Sequence, residues 1–219
     1  MENKLLYFLS DNSKEAIKER LWNVIENDTS ECQRCPLAAN RNNVVLGEGN
    51  KSTKLMFIGE GPGADEDTSG HPFVGKAGRL LTQILDSVSI SRDDIYITNI
   101  VKCRPPENRV PELDEVVACS SILEAQITLI NPSLIVLLGN VPLKAILKTN
   151  EGITRLRGKW FDWNGIAVMP MFHPSYLLRN SSAKEGSPKH LTWIDIQEIK
   201  RQWDSIRKSG KKTEDFRYG

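Results

Sequence analysis

The feature that most constrains this 219-residue chain is the alternation of short apolar runs with longer helical patterns. Four apolar runs predict buried strands: Lys54–Gly59, Ile95–Val101, Leu134–Leu138 and Ile166–Met169. Around them, apolar residues recur at a 3.6-residue period, which predicts amphipathic helices. Strands that alternate with helices in this way form a parallel sheet covered on both faces. We therefore expect an α/β fold with its functional loops at the carboxyl ends of the strands.

Length and composition set the number of domains. A chain with 39% hydrophobic residues can bury one good core, and it is too short to require a second full domain. We expect one domain over residues 1–207 and a charged, frayed tail over residues 208–219. No apolar stretch approaches the roughly 18 residues of a membrane span, so we expect a cytoplasmic protein with no membrane partner. The net charge of +1 excludes neither nucleic acid nor small substrates, because a balanced total can hide a basic face.

The four cysteines predict a metal site. A disulfide framework needs an oxidising compartment, yet the N-terminus offers only the short apolar run Leu5–Leu9 before charges resume. Cys32 and Cys35 have Cys-x2-Cys spacing, whereas Cys103 and Cys119 lie far apart. Structural zinc sites more often use two short Cys-x2-4-Cys pairs, so the spacing favours an iron-sulfur cluster over zinc. Unligated core cysteines are the third interpretation, above all for the cysteine in the apolar helix.

The loop after the first strand carries several candidate groups. The glycines of Gly59–Gly63 permit a ligand to approach the backbone closely, although a tight turn is the simpler interpretation. Glu60 and Glu66 can orient water or stabilise a developing cation. Phe73 can serve as a stacking platform or can fill the core. The string Gly70–Ala77 mimics a P-loop but has alanine where the magnesium-binding hydroxyl belongs, so we reject a nucleotide hydrolase.

Polar side chains also follow later strands. Asn99 closes the second strand, where a carboxamide can offer a donor and an acceptor to the edge of a base. His173 follows the fourth strand, and its imidazole can donate to a leaving-group oxygen. Basic residues in the same loops can contact phosphates: Lys102, Arg104, Arg109 and Arg179. Each side chain alone has a plain bracing or surface interpretation. Their convergence on one sheet edge predicts a site.

Taken together, these strings resemble the iron-sulfur uracil-DNA glycosylases, the family-four or thermophile-type enzymes. The resemblance runs from Cys32 to Arg207 and rests on four strings: Gly59–Gly63, Gly70–Gly78, Thr98–Pro106 and His173–Asn180. It implies a three-layer α/β/α sandwich around a four-stranded parallel sheet. It also implies a 4Fe-4S cluster held by Cys32, Cys35, Cys103 and Cys119. The implied reaction is hydrolysis of the N-glycosidic bond of a uracil flipped out of DNA, which leaves an abasic site.

The resemblance also implies roles for residues near the uracil. Phe73 would stack on the base, the Gly61 backbone would contact the ring, and Asn99 would read its polar edge. His173 would hydrogen-bond the O2 atom on which charge builds as uracil departs. Gly61 stands where the best-known uracil glycosylases carry an aspartate for water. Three residues therefore stay open as the group that holds the water or the sugar cation: Glu60, Glu66 and Asn108.

The implied partner is uracil-containing DNA, single- or double-stranded, and we expect a monomer. Leu177 and Leu178 would fill the vacated base stack, as apolar wedges do elsewhere. Basic residues would contact the phosphates of the DNA backbone: Arg179, Lys102 and Arg109. The leading hypothesis is a monofunctional DNA glycosylase of base excision repair. A non-catalytic DNA-binding or damage-sensing module is one alternative, and a glycosylase with another base preference, such as hypoxanthine, is the second.

Overall fold

A six-stranded mixed sheet forms the centre of the computed structural model, which describes residues 11–209. Its strands are β1 (Glu48–Gly49), β2 (Leu55–Gly59), β3 (Tyr96–Asn99), β4 (Leu134–Leu138), β5 (Phe161–Trp163) and β6 (Ile166–Met171). Their order across the sheet is β1-β3-β2-β4-β6-β5. The four middle strands pair in parallel, and β1 and β5 pair antiparallel at the edges. The Leu5–Leu9 run and the tail beyond Ser209 lie outside the described residues.

The sheet thus corrects the expected four-stranded count. The four predicted strands form its parallel centre, where β2 and β4 are buried along their whole length. Strands covered on both faces read as continuous apolar runs, which is why the sequence reveals them. The edge strands are only two and three residues long and partly exposed. They carry no such run, so the sequence pattern does not mark them.

Helices cover both faces of the sheet. They are α1 (Asp11–Ser30), α2 (Ala64–Ser69), α3 (Lys76–Asp86), α4 (Leu113–Ile130), α5 (Asn140–Leu147), α6 (Ile153–Leu156), α7 (Pro174–Arg179) and α8 (Pro188–Ser209). Successive residues of a strand point to opposite faces. Leu55 and Phe57 accordingly pack with buried residues of α3 and α8, whereas Met56 and Ile58 pack with those of α1 and α4. None of the helices within residues 11–209 is long and apolar enough to cross a membrane.

The topology brings four loops to one edge of the sheet. Because β2, β3, β4 and β6 run parallel, their carboxyl ends lie side by side. The residues that follow them are Glu60, Ile100, Gly139 and Phe172. This is the edge at which parallel α/β sheets bind ligands.

Gly78 fixes how α3 packs against the loop that precedes it. A Cβ atom at this position would lie 1.8 Å from the backbone oxygen of Phe73. Backbone atoms cannot swing aside as a flexible side chain can, so only glycine permits this approach.

We expect Gly78→Ala to lower the free energy of unfolding by about 2 kcal/mol or more, because the overpacking penalty outweighs the helix preference of alanine, about 1 kcal/mol. Urea unfolding followed by circular dichroism measures the change. Gln83→Ala, at an exposed position of the same helix, is the control and should change stability by less than about 0.5 kcal/mol. Equal stability of the two variants would contradict the steric argument.

Candidate active site

A cavity of about 720 Å³ opens at the carboxyl edge of the parallel strands. Its wall is formed by the loops after β2, β3, β4 and β6 together with the segment 105–110. Most of the residues predicted from the sequence line it: Glu60, Gly61, Glu66, Phe73, Asn99, Asn108, Arg109, His173 and Arg179. The sheet therefore brings side chains from distant parts of the chain to one cavity.

Asn99 ends β3 beside Gly59, its partner residue on β2. A Cβ atom on Gly59 would lie 2.4 Å from Asn99 Oδ1 and 2.5 Å from the Phe73 ring, so glycine is what lets both side chains reach this point. Asn99 is 1% exposed, and its Oδ1 has no hydrogen-bond partner among the described residues. A buried acceptor without a donor is destabilising by about 1–3 kcal/mol. A ligand that donates a hydrogen bond here would satisfy it.

Phe73 forms the neighbouring wall. Its backbone has the left-handed φ of +54°, and its side chain is buried against the core. The centroids of the Phe73 and His173 rings lie 5.9 Å apart, with an angle of 36° between the ring planes. Both rings line the cavity, so a flat apolar face and an imidazole lie beside the unpaired Asn99 oxygen.

Glu66 holds the Phe73 loop rather than presenting a free carboxylate. Its Oε1 accepts hydrogen bonds from the backbone amides of Val74 (2.9 Å) and Gly75 (2.8 Å). Its Oε2 accepts one from the amide of Gly63 at 3.1 Å. A carboxylate with three backbone donors is committed to its loop. These contacts show that Glu66 braces the loop, while its predicted role in holding the water or the sugar cation stays a prediction.

Glu60 differs from Glu66 in its surroundings. It is half-buried in the cavity wall, and burial raises the pKa of its carboxyl above the usual value. Among the described residues, none donates a hydrogen bond to the Glu60 carboxylate. Of the two acids predicted for this loop, Glu60 is therefore the one available to water or to a developing positive charge.

His173 presents a neutral imidazole. Its Nδ1 accepts a hydrogen bond from the backbone amide of Ser175 at 3.1 Å and lies 2.8 Å from Ser175 Oγ. An imidazole that accepts at Nδ1 carries its proton on Nε2 when it is neutral. Burial, with a smaller contribution from Arg179, lowers the pKa of His173 to about 4. At neutral pH this side chain is therefore an uncharged Nε2–H donor.

The segment 105–110, which follows Cys103 in the loop after β3, forms the rim of the cavity. Asn108 is exposed, has φ of +56°, and accepts a hydrogen bond at Oδ1 from Arg104 Nε at 2.9 Å. Arg109 binds both carboxylate oxygens of Glu115, at 2.9 and 2.7 Å. This bidentate pair holds the pKa of the Glu115 carboxyl below its usual value. The Arg109 guanidinium, predicted to contact phosphate, is thus largely engaged within the protein.

Two of the side chains predicted to contact DNA are buried in the protein. Leu177 is 1% exposed and packs in a core cluster, whereas Leu178, the next residue of α7, is 47% exposed. Lys102 is also 1% exposed, and its Nζ donates to Thr98 Oγ1 (2.6 Å) and to the Asn99 backbone oxygen (2.7 Å). The sequence pattern could not separate the two leucines, because a short six-residue helix has too little periodicity to show which face is buried.

The end of β4 supplies residues that the sequence analysis missed. Gly139, Asn140 and Lys144 line the cavity. Gly139 has φ of +96°, and a Cβ there would lie 3.1 Å from the Cβ of His173. The signal was present, because the rule that selects carboxyl ends of parallel strands applies to β4 as it does to β2 and β3.

A second, small cavity is lined by the segment 32–44, by the loop after β3 and by α4, and four cysteines lie around it: Cys32, Cys35, Cys103 and Cys119. All are free thiols, the last two buried. Within residues 11–209, no group of three or more histidine, cysteine or acidic side chains is arranged to hold a metal ion. The four sulfur atoms are therefore neighbours around one cavity without forming a closed single-ion site.

Two cationic side chains lie beside the cysteine cavity. They bear on whether an anionic group held by the sulfur atoms would fit there. Lys102 lines the cavity, and burial lowers its pKa to about 8, so it remains charged at neutral pH. Among the described residues, no carboxylate forms an ion pair with it. Arg41 also lines the cavity and donates to Cys103 Sγ at 3.5 Å. Four thiols and two cations fit a group that carries negative charge on thiolate ligands.

Comparisons with known proteins point to the same family as the sequence strings. A family model described as the uracil DNA glycosylase superfamily matches residues 46–197. A Type-4 uracil-DNA glycosylase of Thermotoga maritima is 46% identical over 195 residues, which cover 88% of this chain and 98% of the relative. The Type-4 uracil-DNA glycosylase of Saccharolobus solfataricus is 45% identical, over 72% of this chain and 77% of the relative. That of Sulfurisphaera tokodaii is 44% identical, over 74% and 77%.

The family resemblance predicted from the sequence is thereby confirmed. The matched region contains the loops after β2, β3, β4 and β6 that build the cavity, and the relatives extend the match over most of the chain. The chain belongs to the uracil-DNA glycosylase superfamily, among its type-4 members.

Proposed function

We propose that this protein is a uracil-DNA glycosylase that hydrolyses the N-glycosidic bond of deoxyuridine in DNA. The observation that carries the proposal is the buried Asn99 Oδ1 without a donor, set beside the Phe73 ring and the His173 donor in one cavity. Uracil offers a ring N–H donor next to carbonyl oxygens, so its polar edge complements a carboxamide. Its flat ring suits the face of Phe73. The names of the type-4 relatives agree with this substrate.

The cavity requires the base to leave the double helix. A base within a stacked duplex cannot reach a side chain as deeply buried as Asn99, so the nucleotide must be flipped out or presented in a single strand. Leu178 is exposed on α7 beside the cavity, and Arg179 lines its mouth. Leu178 can fill the space left in the base stack, while Arg179 contacts a phosphate. Both single- and double-stranded DNA are substrates under this proposal.

The reaction uses the residues in distinct roles. As the bond between C1′ and the ring nitrogen breaks, electrons move onto uracil, and the Nε2–H of His173 donates to the O2 atom that gains charge. The sugar becomes cationic, and the Glu60 carboxylate stabilises it and orients the water that attacks C1′. Asn108 at the rim supplies a further polar group for that water. Water loses a proton, the departing uracil gains one, and an abasic site remains.

We propose that Cys32, Cys35, Cys103 and Cys119 hold a 4Fe-4S cluster with a structural role. The support is their common cavity, the soft thiol donors and the two adjacent cations. When bound, such a group cross-links the segment after α1 to the loop after β3 and to α4. The cysteines thereby fix the wall that lies behind Asn99. Residues 1–207 act as one domain and as a monomer, on DNA inside the cell, under the same proposal.

Excision should be tested with protein purified anaerobically and a labelled oligonucleotide that carries one uracil, followed by alkali and measurement of strand cleavage. Asn99→Ala and His173→Ala should each lower the single-turnover rate by about 100-fold or more, the size expected for a lost transition-state donor or base contact. Asn150→Ala and His190→Ala, which remove the same side-chain types outside the cavity, are the controls and should keep the rate.

Two results of that assay would overturn the proposed reaction. Tight binding to DNA without cleavage at any base would indicate a non-catalytic damage-sensing module. Cleavage at hypoxanthine in preference to uracil would indicate a glycosylase with another base preference.

The lowered pKa of His173 predicts a pH dependence of stability. Between about pH 6.5 and pH 4 the unfolded chain binds a proton on this histidine that the folded protein does not, so the free energy of unfolding falls as the pH falls through this window. The loss reaches at most about 3 kcal/mol at pH 4. Urea unfolding at several pH values should show a smaller loss for His173→Gln. Parallel curves for the two proteins would show that His173 is not buried in its neutral form.

The cysteine proposal predicts a loss of iron together with a loss of stability. Cys35→Ser and Cys119→Ser should lower the iron and sulfide content and the visible absorbance of anaerobic protein, and should lower the free energy of unfolding by about 2 kcal/mol or more. Ser120→Ala, next to a proposed ligand, should change neither. Stoichiometric zinc in place of iron, or an unfolding midpoint unchanged by both cysteine substitutions, would contradict the proposed cluster.

A further inference from the structure

The backbone of the Phe73 loop is held by side chains that reach it from other parts of the protein. Phe73 occupies the left-handed region at φ of +54°, where residues with a bulky side chain are rarely found. Such a conformation persists only where the surroundings impose it. The position of the Phe73 ring in the cavity wall therefore depends on whatever fixes the peptide groups on either side of it.

Arg92 fixes the carbonyl groups of this loop. Its Nη1 donates to the backbone oxygen of Phe73 at 3.1 Å and to Thr82 Oγ1 at 3.3 Å. Its Nη2 donates to the backbone oxygen of Pro72 at 2.9 Å and to Glu48 Oε1 at 2.7 Å. One guanidinium thus joins two consecutive carbonyls of the loop to α3 and to edge strand β1.

The following residues of the loop are fixed by other side chains. Glu66 accepts the amides of Val74 and Gly75, as described above, and Arg79 Nη1 donates to the backbone oxygen of Val74 at 3.0 Å. The carbonyls before and at Phe73 therefore depend on Arg92, whereas the peptide groups after it depend on Glu66 and Arg79. Both halves are needed to define the direction in which the ring points.

We propose that Arg92 is a positioning residue that sets the plane of the Phe73 ring for stacking on the flipped base, through the carbonyl oxygens of Pro72 and Phe73. This inference rests on the proposed excision of uracil. Arg92 is not among the residues that line the cavity, so it acts through the loop and not on the base. Only arginine has the planar set of five donors that satisfies four acceptors at once, and lysine cannot reproduce it.

The test is a double-mutant cycle with the ring that Arg92 is proposed to orient. Steady-state excision of uracil is measured for Arg92→Gln, Arg92→Lys, Phe73→Ala and the double variant Arg92→Gln with Phe73→Ala. We expect kcat/KM to fall about 10- to 100-fold for Phe73→Ala, the range for loss of one base–aromatic stack, and about 10-fold for Arg92→Gln. The double variant should lose no more than Phe73→Ala alone, because no ring remains to be oriented.

The matched control is Arg155→Gln, which makes the same substitution at an exposed arginine paired with Glu151 at 3.2 Å. It should keep full activity. Arg92→Lys should fall between the wild type and Arg92→Gln. A merely structural role would give a loss that multiplies with that of Phe73→Ala, and this result, or an unchanged kcat/KM for Arg92→Gln, would overturn the inference.

A second measurement separates failure of this inference from failure of the proposed function. Hydrogen exchange followed by mass spectrometry reports on the amides of Val74 and Gly75 without any substrate. Arg92→Gln should speed their exchange at least about tenfold, while Arg155→Gln should not. Unchanged exchange would overturn the role of Arg92 in the loop. Faster exchange in a protein that excises no uracil would leave the loop contact standing but overturn its proposed role in stacking together with the function.

Discussion

The close approach of three groups at the end of β2 is the constraint on which the rest of the site depends. Gly59 is paired with Asn99 across the sheet, and the absence of a side chain at Gly59 opens the space into which Asn99 and Phe73 both project. Any Cβ at this point would displace one of them. The parallel pairing of β2 with β3 therefore does more than build the sheet, because its register decides which residue of β3 faces the cavity.

The polar groups around this point are largely uncharged. Asn99 offers a carboxamide, and His173 offers a neutral imidazole because burial lowers its pKa. Hydrogen bonds are electrostatically stronger in a buried site than in water, so neutral groups can hold a ligand there without carrying a net charge. The charged side chains that line the cavity differ in whether they have partners within the protein. Backbone amides hold the Glu66 carboxylate and Glu115 pairs with Arg109, which leaves Glu60 as the cavity-lining acid without a hydrogen-bond donor among the described residues.

The sequence predicts the centre of the fold well and the periphery poorly, for physical reasons. The buried strands appear as apolar runs, and their carboxyl ends select the loops that converge on the cavity. Strands β1 and β5 escape notice because two or three partly exposed residues have no pattern. The role of Glu66 could not be read from the chain, since it depends on three backbone amides that only folding brings together. Likewise, a lysine in a functional loop reads as a phosphate contact, but Lys102 is buried.

The buried side chain of Lys102 connects the cysteine cavity with the larger cavity at the carboxyl edge of the sheet. Lys102 lines the cysteine cavity, and its ammonium group donates a hydrogen bond to the backbone oxygen of Asn99. The side chain of Asn99 lines the larger cavity. A buried cation is stable only while opposite charge or sufficient acceptors surround it. Lys102 meets this condition in part through Thr98 Oγ1 and the Asn99 backbone oxygen. The two cavities thus share one side chain, so a change in charge around the four thiols acts directly on the peptide group that carries the Asn99 carboxamide.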